Sequence, residues 1–106
     1  MKDDSFKDFV LDQLEGLDDL EARRMFGGHG LYQDETFFGI IHKGRLYFKI
    51  DDATVGEYRE LKMKPFQPNA KQTLKSYYQV PVDIIEDADR LCQWAAKAVA
   101  CQTKKK

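Results

Sequence analysis

The spacing of hydrophobic and polar positions changes several times along this chain of 106 residues. Near the N-terminus, Phe6, Val10 and Leu14 recur every four residues, which places their side chains on one face of a helix. Gly16 follows as a typical helix stop. We therefore predict an amphipathic helix over residues 5–15.

The middle of the chain instead consists of short aromatic and β-branched runs. Residues 37–41 and 45–50 predict two strands, and His42-Lys43-Gly44 between them is typical of a hairpin. In the second strand Leu46, Phe48 and Ile50 alternate with Arg45, Tyr47 and Lys49. Such alternation is typical of a strand with one buried and one polar face.

The second half predicts four segments: a short helix through 55–61 capped by Asp51-Asp52, an irregular stretch over 65–72, a strand over 73–80 and a helix over 84–101. Pro65 and Pro68 are the reason for the irregular stretch. Period-two alternation places Leu74, Tyr78 and Val80 on one strand face. Together these elements predict a single α+β domain over 1–106, with an ordered core of about 5–101 and a basic tail at 102–106.

Charge is balanced overall, with 17 basic against 18 acidic residues, but unevenly distributed. Residues 1–22 carry eight acidic and two basic side chains, whereas residues 23–50 carry five basic and two acidic ones. Either an acidic helix lies near a basic sheet and the two attract, or the sheet presents a basic surface to an acidic partner. A protein that grips duplex DNA alone usually has a basic excess, so nucleic-acid binding is expected to be weak or indirect.

The two cysteines and the N-terminus indicate a cytoplasmic protein. Cys92 and Cys101 fall nine residues apart in the last helix, too far to pair with each other. No apolar run is long enough to span a membrane, and no apolar leader follows Met1. A reducing compartment without a membrane partner is the expected setting.

The sequence does not predict a catalytic, metal or cofactor site. Gly27-Gly28-His29-Gly30 leads into strands and is not followed by Lys-Ser/Thr, so turn or bulge glycines explain it better than a phosphate loop. The histidines and cysteines lack zinc-ligand spacing. The acidic pairs Glu86-Asp87 and Asp51-Asp52 are typical helix caps. A ligand-binding or enzymatic domain using His29 and its glycines is the less favoured alternative.

The polar face of the predicted sheet is the leading candidate for a binding surface. By alternation it carries five basic or aromatic side chains: Arg45, Tyr47, Lys49, Lys75 and Tyr77. This combination suits solvent exposure, a protein interface or single-stranded nucleic acid. Trp94 lies outside the apolar stripe of the last helix, so it either packs under the 65–72 segment or anchors a homodimer.

A longer pattern resembles the N-terminal domain of the TfoX/Sxy competence-regulator family. It consists of Arg24-Met25-Phe26-Gly27-Gly28-His29-Gly30-Leu31-Tyr32, Phe38-Gly39-Ile40-Ile41 and Gly44-Arg45-Leu46-Tyr47-Phe48-Lys49, closed by Tyr77-Tyr78-Gln79-Val80-Pro81, Glu86-Asp87 and Leu91-x-x-Trp94-Ala95. The similarity runs through roughly residues 5–100, and its most characteristic stretch is carried over as signature positions only. These are Arg24, Met25, Phe26, Gly27, Gly28, Gly30 and Tyr32.

The resemblance implies a two-layer α/β sandwich of the secretion-chaperone type, in the order α-β-β-β-α-β-β-α with a mainly antiparallel sheet. It also implies a non-enzymatic bacterial regulator of DNA-uptake genes that works with the transcription machinery or the cyclic-AMP receptor protein. Full-length relatives carry a second, helical domain, so this chain is expected to be a stand-alone first domain. The turn at Gln33-Asp34-Glu35 lacks the glycine of the family pattern, which predicts a looser connection.

Overall fold

The computed structural model describes residues 2–25 and 28–103. Its elements, in chain order, are α1 (Lys2–Gln13), β1 (Leu20–Met25), β2 (Gly28–Gln33), β3 (Thr36–His42), β4 (Arg45–Lys49), α2 (Val55–Glu60), β5 (Pro65–Asn69), β6 (Gln72–Gln79), α3 (Val82–Ile85) and α4 (Ala88–Thr103). Within the described ranges no helix combines the length and apolar character needed to cross a membrane. Of the basic tail predicted at 102–106, residues 102–103 instead belong to α4, and residues 104–106 lie outside these ranges.

The strands form one sheet in the order β1-β2-β3-β4-β6-β5, and all of its neighbours pair antiparallel. This confirms the α+β class and the antiparallel sheet implied by the family resemblance. Two details differ from the implied order. The structure has four strands between α1 and α2, and a separate one-turn helix, α3, precedes α4.

The main core lies between the sheet and the helices. All four helices and strands β2, β3 and β4 bring almost fully buried side chains to it or to its borders, among them Val10, Leu14, Leu31, Phe38, Phe48, Tyr58, Ile84, Leu91 and Ala95. In β4 this face holds Leu46 and Phe48, as the alternation predicts. Helix α4 packs over β3 and β4, and α1 contacts α4 through a hydrogen bond from the Cys92 thiol to the Gln13 carbonyl.

Two-residue turns connect β2 to β3 and β3 to β4. Lys43 and Gly44 both have positive φ, 52° and 73°, as do Asp34 and Glu35, at 48° and 73°. This left-handed pair of residues suits the twist of a tight hairpin. The expectation of a looser connection at Asp34-Glu35 is therefore wrong, because acidic residues occupy these backbone conformations there without a glycine.

Aspartate side chains accept backbone hydrogen bonds just before α2 and at the start of α4. One Asp51 carboxylate oxygen accepts hydrogen bonds from the amides of Ala53 and Thr54, both at 3.0 Å. A carboxylate oxygen of Asp87 accepts from the amide of Arg90 at 3.2 Å, at the start of α4. This confirms the predicted capping at Asp87, whereas Asp51 closes the turn just before α2, whose N-cap residue Thr54 makes no side-chain capping hydrogen bond. The cap at Asp87 also explains why the predicted single helix over 84–101 divides into α3 and α4.

The segment over 65–72 is where the sequence prediction fails most clearly. It forms strand β5, which pairs with β6 at the edge of the sheet. An edge position tolerates Pro65 and Pro68, because the amide hydrogens they lack are not needed there. Register shifts between β5 and β6 also turn Leu74 away from the main core that Tyr78 and Val80 contact, so these three residues do not share a face.

Candidate functional site

The sheet face opposite the helices carries a second, smaller cluster of buried side chains. Four residues form it: Ile40, Tyr47, Phe66 and Tyr77, which are 5%, 7%, 2% and 9% exposed. Phe37 and Leu74 pack at its margin. The rings of Tyr47 and Phe66 lie 4.6 Å apart, centre to centre. Because none of these residues belongs to a helix, the strands cover this face with their own side chains.

Strand β5 is what closes this second face. Phe66 contacts Tyr47 and, at 5.3 Å between ring centres, His42. At the other end of the cluster, the Gln102 amide donates to the Phe37 carbonyl at 2.7 Å and to the Tyr77 hydroxyl at 3.4 Å. Burial, with a smaller contribution from the nearby Tyr32, raises the pKa of Tyr77 to about 12. The Tyr77 hydroxyl therefore keeps its proton at neutral pH.

The structure separates the six predicted partner-binding residues into two groups. Arg45 and Lys75 are exposed, and Lys49 is half-buried with its ammonium 5.7 Å from the ring centre of Tyr77. The expectation that Tyr47 and Tyr77 are open to solvent is wrong, because Phe66 and its neighbours cover this face.

Trp94 is part of the main core. It is 6% exposed and packs edge-on against Tyr58 of α2, with ring centres 4.7 Å apart. The expectation of an exposed indole that anchors a partner or a homodimer is therefore wrong. Its packing neighbour is α2, whereas the sequence suggested the 65–72 segment.

The signature positions that the structure describes lie on β1, the edge strand opposite β5, and on its neighbour β2. Arg24 is exposed on β1 and Met25 half-buried at its end, while Tyr32 on β2 stacks under the guanidinium of Arg23 at 4.2 Å. Phe26 and Gly27 lie outside the described residues. Arg23 also bonds Glu21, and this contact lowers the pKa of the Glu21 carboxyl. The signature therefore contributes to sheet packing on the β1–β2 side.

The glycines of this stretch allow close packing. A Cβ added to Gly28 would collide with the Ile41 carbonyl oxygen, and one added to Gly30 would press on Met25 and Phe37. Neither glycine has positive φ, so they are not turn residues. Between them His29 is 8% exposed, and its Nδ1 makes no hydrogen bond with the described residues. No group of three or more candidate metal ligands occurs within the ranges the structure describes.

The charge of strands β3 to β6 and their flanking residues differs sharply from that of the rest of the chain. Residues 36–50 and 61–81 together hold seven basic and no acidic side chains, whereas the rest of the chain holds all 18 acidic residues against 10 basic ones. These two ranges contain β3, β4, β5 and β6, which are consecutive in the sheet. The basic residues are Lys43, Arg45, Lys49, Lys62, Lys64, Lys71 and Lys75.

No ion pair between described side chains joins the acidic N-terminal helix to this basic region. Among the described side chains, ion pairs join Lys7 to Asp8, Arg23 to Glu21 and Glu35, and Lys97 to Glu57. None of these pairs connects α1 to β3, β4, β5 or β6. Of the two alternatives for the uneven charge, the structure gives no support to an internal attraction, and the basic region faces outward.

A comparison with protein families gives a match over most of the chain. The sequence profile of the TfoX N-terminal domain matches residues 12–102, which is nearly the whole chain. The chain belongs to the TfoX N-terminal domain family. This membership makes it a competence-related regulatory domain at the level of the family, which is a non-enzymatic one. A comparison with curated proteins finds no match.

The sequence alone did not identify several residues in and around the basic region of this TfoX domain. The predicted surface omitted Phe66 and Lys71, because the 65–72 segment was expected to be irregular. It also omitted His42, which was assigned to the hairpin connection between two strands. Two features of the sequence point to them in retrospect. No acidic residue occurs over 61–81, and Phe66 and Leu74 flank a turn at 70–71 as the apolar positions of a hairpin would.

Proposed function

We propose that this TfoX-type domain regulates transcription of DNA-uptake genes by contacting a protein partner through its basic region. The observation that carries the proposal is the charge separation in a member of a competence-related family: seven basic and no acidic residues over 36–50 and 61–81. A surface of one sign attracts and orients a partner of the opposite sign, which favours specific association over non-specific contact.

A protein partner is favoured over nucleic acid for two reasons. Proteins that bind single strands stack bases on exposed aromatic rings, whereas Tyr47 and Tyr77 are buried beneath their neighbours. The remainder of the domain carries an acidic excess, which would repel a long phosphate backbone that extended beyond the basic region. A shorter or more compact acidic partner avoids this repulsion. The transcription machinery and the cyclic-AMP receptor protein are the candidates.

The experiment measures transcripts of DNA-uptake genes in the host bacterium. Deleting the gene for this chain is expected to lower those transcripts, and wild-type protein supplied from a plasmid is expected to restore them. The double substitution Arg45→Glu with Lys71→Glu reverses two exposed charges of the basic region and should not restore them. The double substitution Arg59→Glu with Arg90→Glu reverses two exposed charges on α2 and α4, outside the basic region, and should restore transcription.

A second measurement identifies the contact itself. A photo-crosslinking amino acid at Thr73, exposed on β6, should attach the partner, whereas one at Gln93, exposed on α4, should not. Transcripts that do not respond to the presence of this chain would contradict the regulatory role. Crosslinking from Gln93 alone would assign the partner to the helical layer.

A further inference from the structure

A small open cavity lies at the end of the second face, inside the basic region. Its volume is about 330 Å³, and it is lined by His42, Phe66, Pro68, Asn69, Gln72 and Leu74. The lining is mostly apolar carbon contributed by the β5–β6 hairpin, with His42 closing it from β3. This volume is at the lower end of the range for ligand pockets, roughly 300–1,000 Å³. It suits one large side chain better than a whole cofactor.

Four exposed cations neighbour the residues that line this cavity, either in the chain or across a strand pair. Lys43 follows His42 in the chain, Arg45 pairs with His42 across the β3–β4 hairpin, Lys71 lies between Asn69 and Gln72, and Lys75 follows Leu74. All four side chains are exposed. None of them takes part in an ion pair with another residue that the structure describes. Their charges are therefore available to a partner.

We infer that this cavity and its four neighbouring cations bind an acidic segment of a protein partner, with one apolar side chain of that segment seated in the cavity. The inference rests on the proposed function, since it names the chemistry of the partner that the domain contacts. An apolar anchor in a pocket supplies affinity by desolvation, while the surrounding charges select an acidic sequence.

The arrangement of the cations favours an extended peptide. Two of them, Lys43 and Arg45, belong to the β3–β4 hairpin, and Lys71 and Lys75 belong to the β5–β6 hairpin. Carboxylates spaced along a peptide can pair with cations of both hairpins at once. The peptide is expected to bind through its side chains. Addition as a further strand is disfavoured, because Pro65 and Pro68 deprive the β5 edge of two amide donors.

The binding test uses a fluorescein-labelled peptide of alternating Asp and Glu with a single central Trp, measured by fluorescence anisotropy. Replacing that Trp with Ser should weaken binding by at least about tenfold, because the apolar anchor is lost. On the protein side, the Arg45→Glu, Lys71→Glu double variant should bind at least about tenfold more weakly than wild type. The matched Arg59→Glu, Arg90→Glu double variant reverses two exposed charges on α2 and α4, outside the basic region, and should remain within about threefold of wild type.

Two measurements keep this test independent of folding. Circular dichroism and thermal unfolding verify that the double variant retains the wild-type structure, as expected for exposed positions. On the unaltered protein, raising NaCl from about 50 to about 500 mM should weaken binding of the Trp peptide, because screening reduces the attraction of the four cations.

Other occupants of the cavity are separate outcomes of the same experiment. Tighter binding of an oligothymidine than of the Trp peptide would overturn the inference in favour of nucleic acid. Equal binding of the Trp and Ser peptides would also overturn it, because the cavity would then have no role. A second copy could offer its own acidic residues 1–22. Self-association in sedimentation that Arg45→Glu, Lys71→Glu abolishes would therefore overturn it as well.

Failure of the inference is distinguishable from failure of the proposed function. If transcripts respond to the chain and the acidic peptide does not bind, the regulatory role stands and the inferred partner chemistry is wrong. If the peptide binds as expected and transcripts do not respond, the surface is assigned correctly and the regulatory role is wrong.

Discussion

The two faces of the sheet are built from adjacent residues yet differ in composition and in what covers them. In β4, Leu46 and Phe48 point into the helix-covered core, while Tyr47 between them belongs to the second cluster and Arg45 is exposed. The core face is closed by four helices. The second face is covered mainly by strand side chains, with Gln102 of α4 at one end, and has cations at its margin. One strand can therefore serve stability on one side and recognition on the other.

The difference also shows how a sheet face can be buried without a second layer of helices. Register shifts occur between β2 and β3 and between β5 and β6. Bulges of this kind increase local twist and bend a strand. Together with the side chain of Phe66, they let the edge of the sheet cover Tyr47, and the cavity at the edge of this cluster is the part that stays open.

The largest expected difference between the faces is in stability. Trp94→Ala should lower the free energy of unfolding by about 3–5 kcal/mol, because it opens a cavity between α4 and α2 in the main core. Tyr47→Ala should cost less, about 1–3 kcal/mol, because the second cluster is smaller and can collapse toward solvent. Urea denaturation measures both. Equal losses would show that the second cluster is as rigid as the core.

A pair of glycines sharpens the comparison at β2. Gly28→Ala should cost about 1–3 kcal/mol or more, since the new methyl group meets the backbone carbonyl of Ile41. Gly30→Ala should cost less, because the atoms it meets are the side chains of Met25 and Phe37, which can shift on the second face. Gly56→Ala, in α2 with open space around it, should gain about 0.4–1 kcal/mol and serves as the control.

The smallest expected effect is a pH dependence on the second face. The pKa of Tyr77 is raised to about 12, so the folded state holds this proton more tightly than the unfolded chain. The resulting stability is complete below the ordinary tyrosine pKa of about 10 and is lost as pH rises toward 12. Unfolding curves across this range should fall more steeply for wild type than for Tyr77→Phe. Parallel curves would show that Tyr77 is solvated.

The local spacing of apolar and polar residues was sufficient to predict much of the fold. Period-two alternation assigned Leu46 and Phe48 to the core, and helical spacing located α1 and α4. The misassigned segments depend on contacts distant in sequence. Strand β5 exists because β6 pairs with it, which its prolines do not reveal, and Leu74 changes face because of a register shift with that strand.

The exposed charges of the candidate site could be predicted from the sequence, but its buried aromatic rings and its cavity could not. Arg45 and Lys75 are exposed as the alternation indicates. The burial of Tyr47 could not be predicted from its own strand, because the residue that covers it, Phe66, comes from a segment without a recognisable strand pattern. The cavity depends on the same hairpin and was missed for the same reason.

The most direct test of recognition by the second face is an amide chemical-shift titration of the isotope-labelled domain with the acidic Trp peptide. Binding as inferred should shift the amides of residues 42–45 and 66–75, excluding the prolines, which have no amide proton. The amides of α4 should stay in place. Shifts concentrated in α1 or α4, with the β5–β6 hairpin unchanged, would contradict the assignment of recognition to this face.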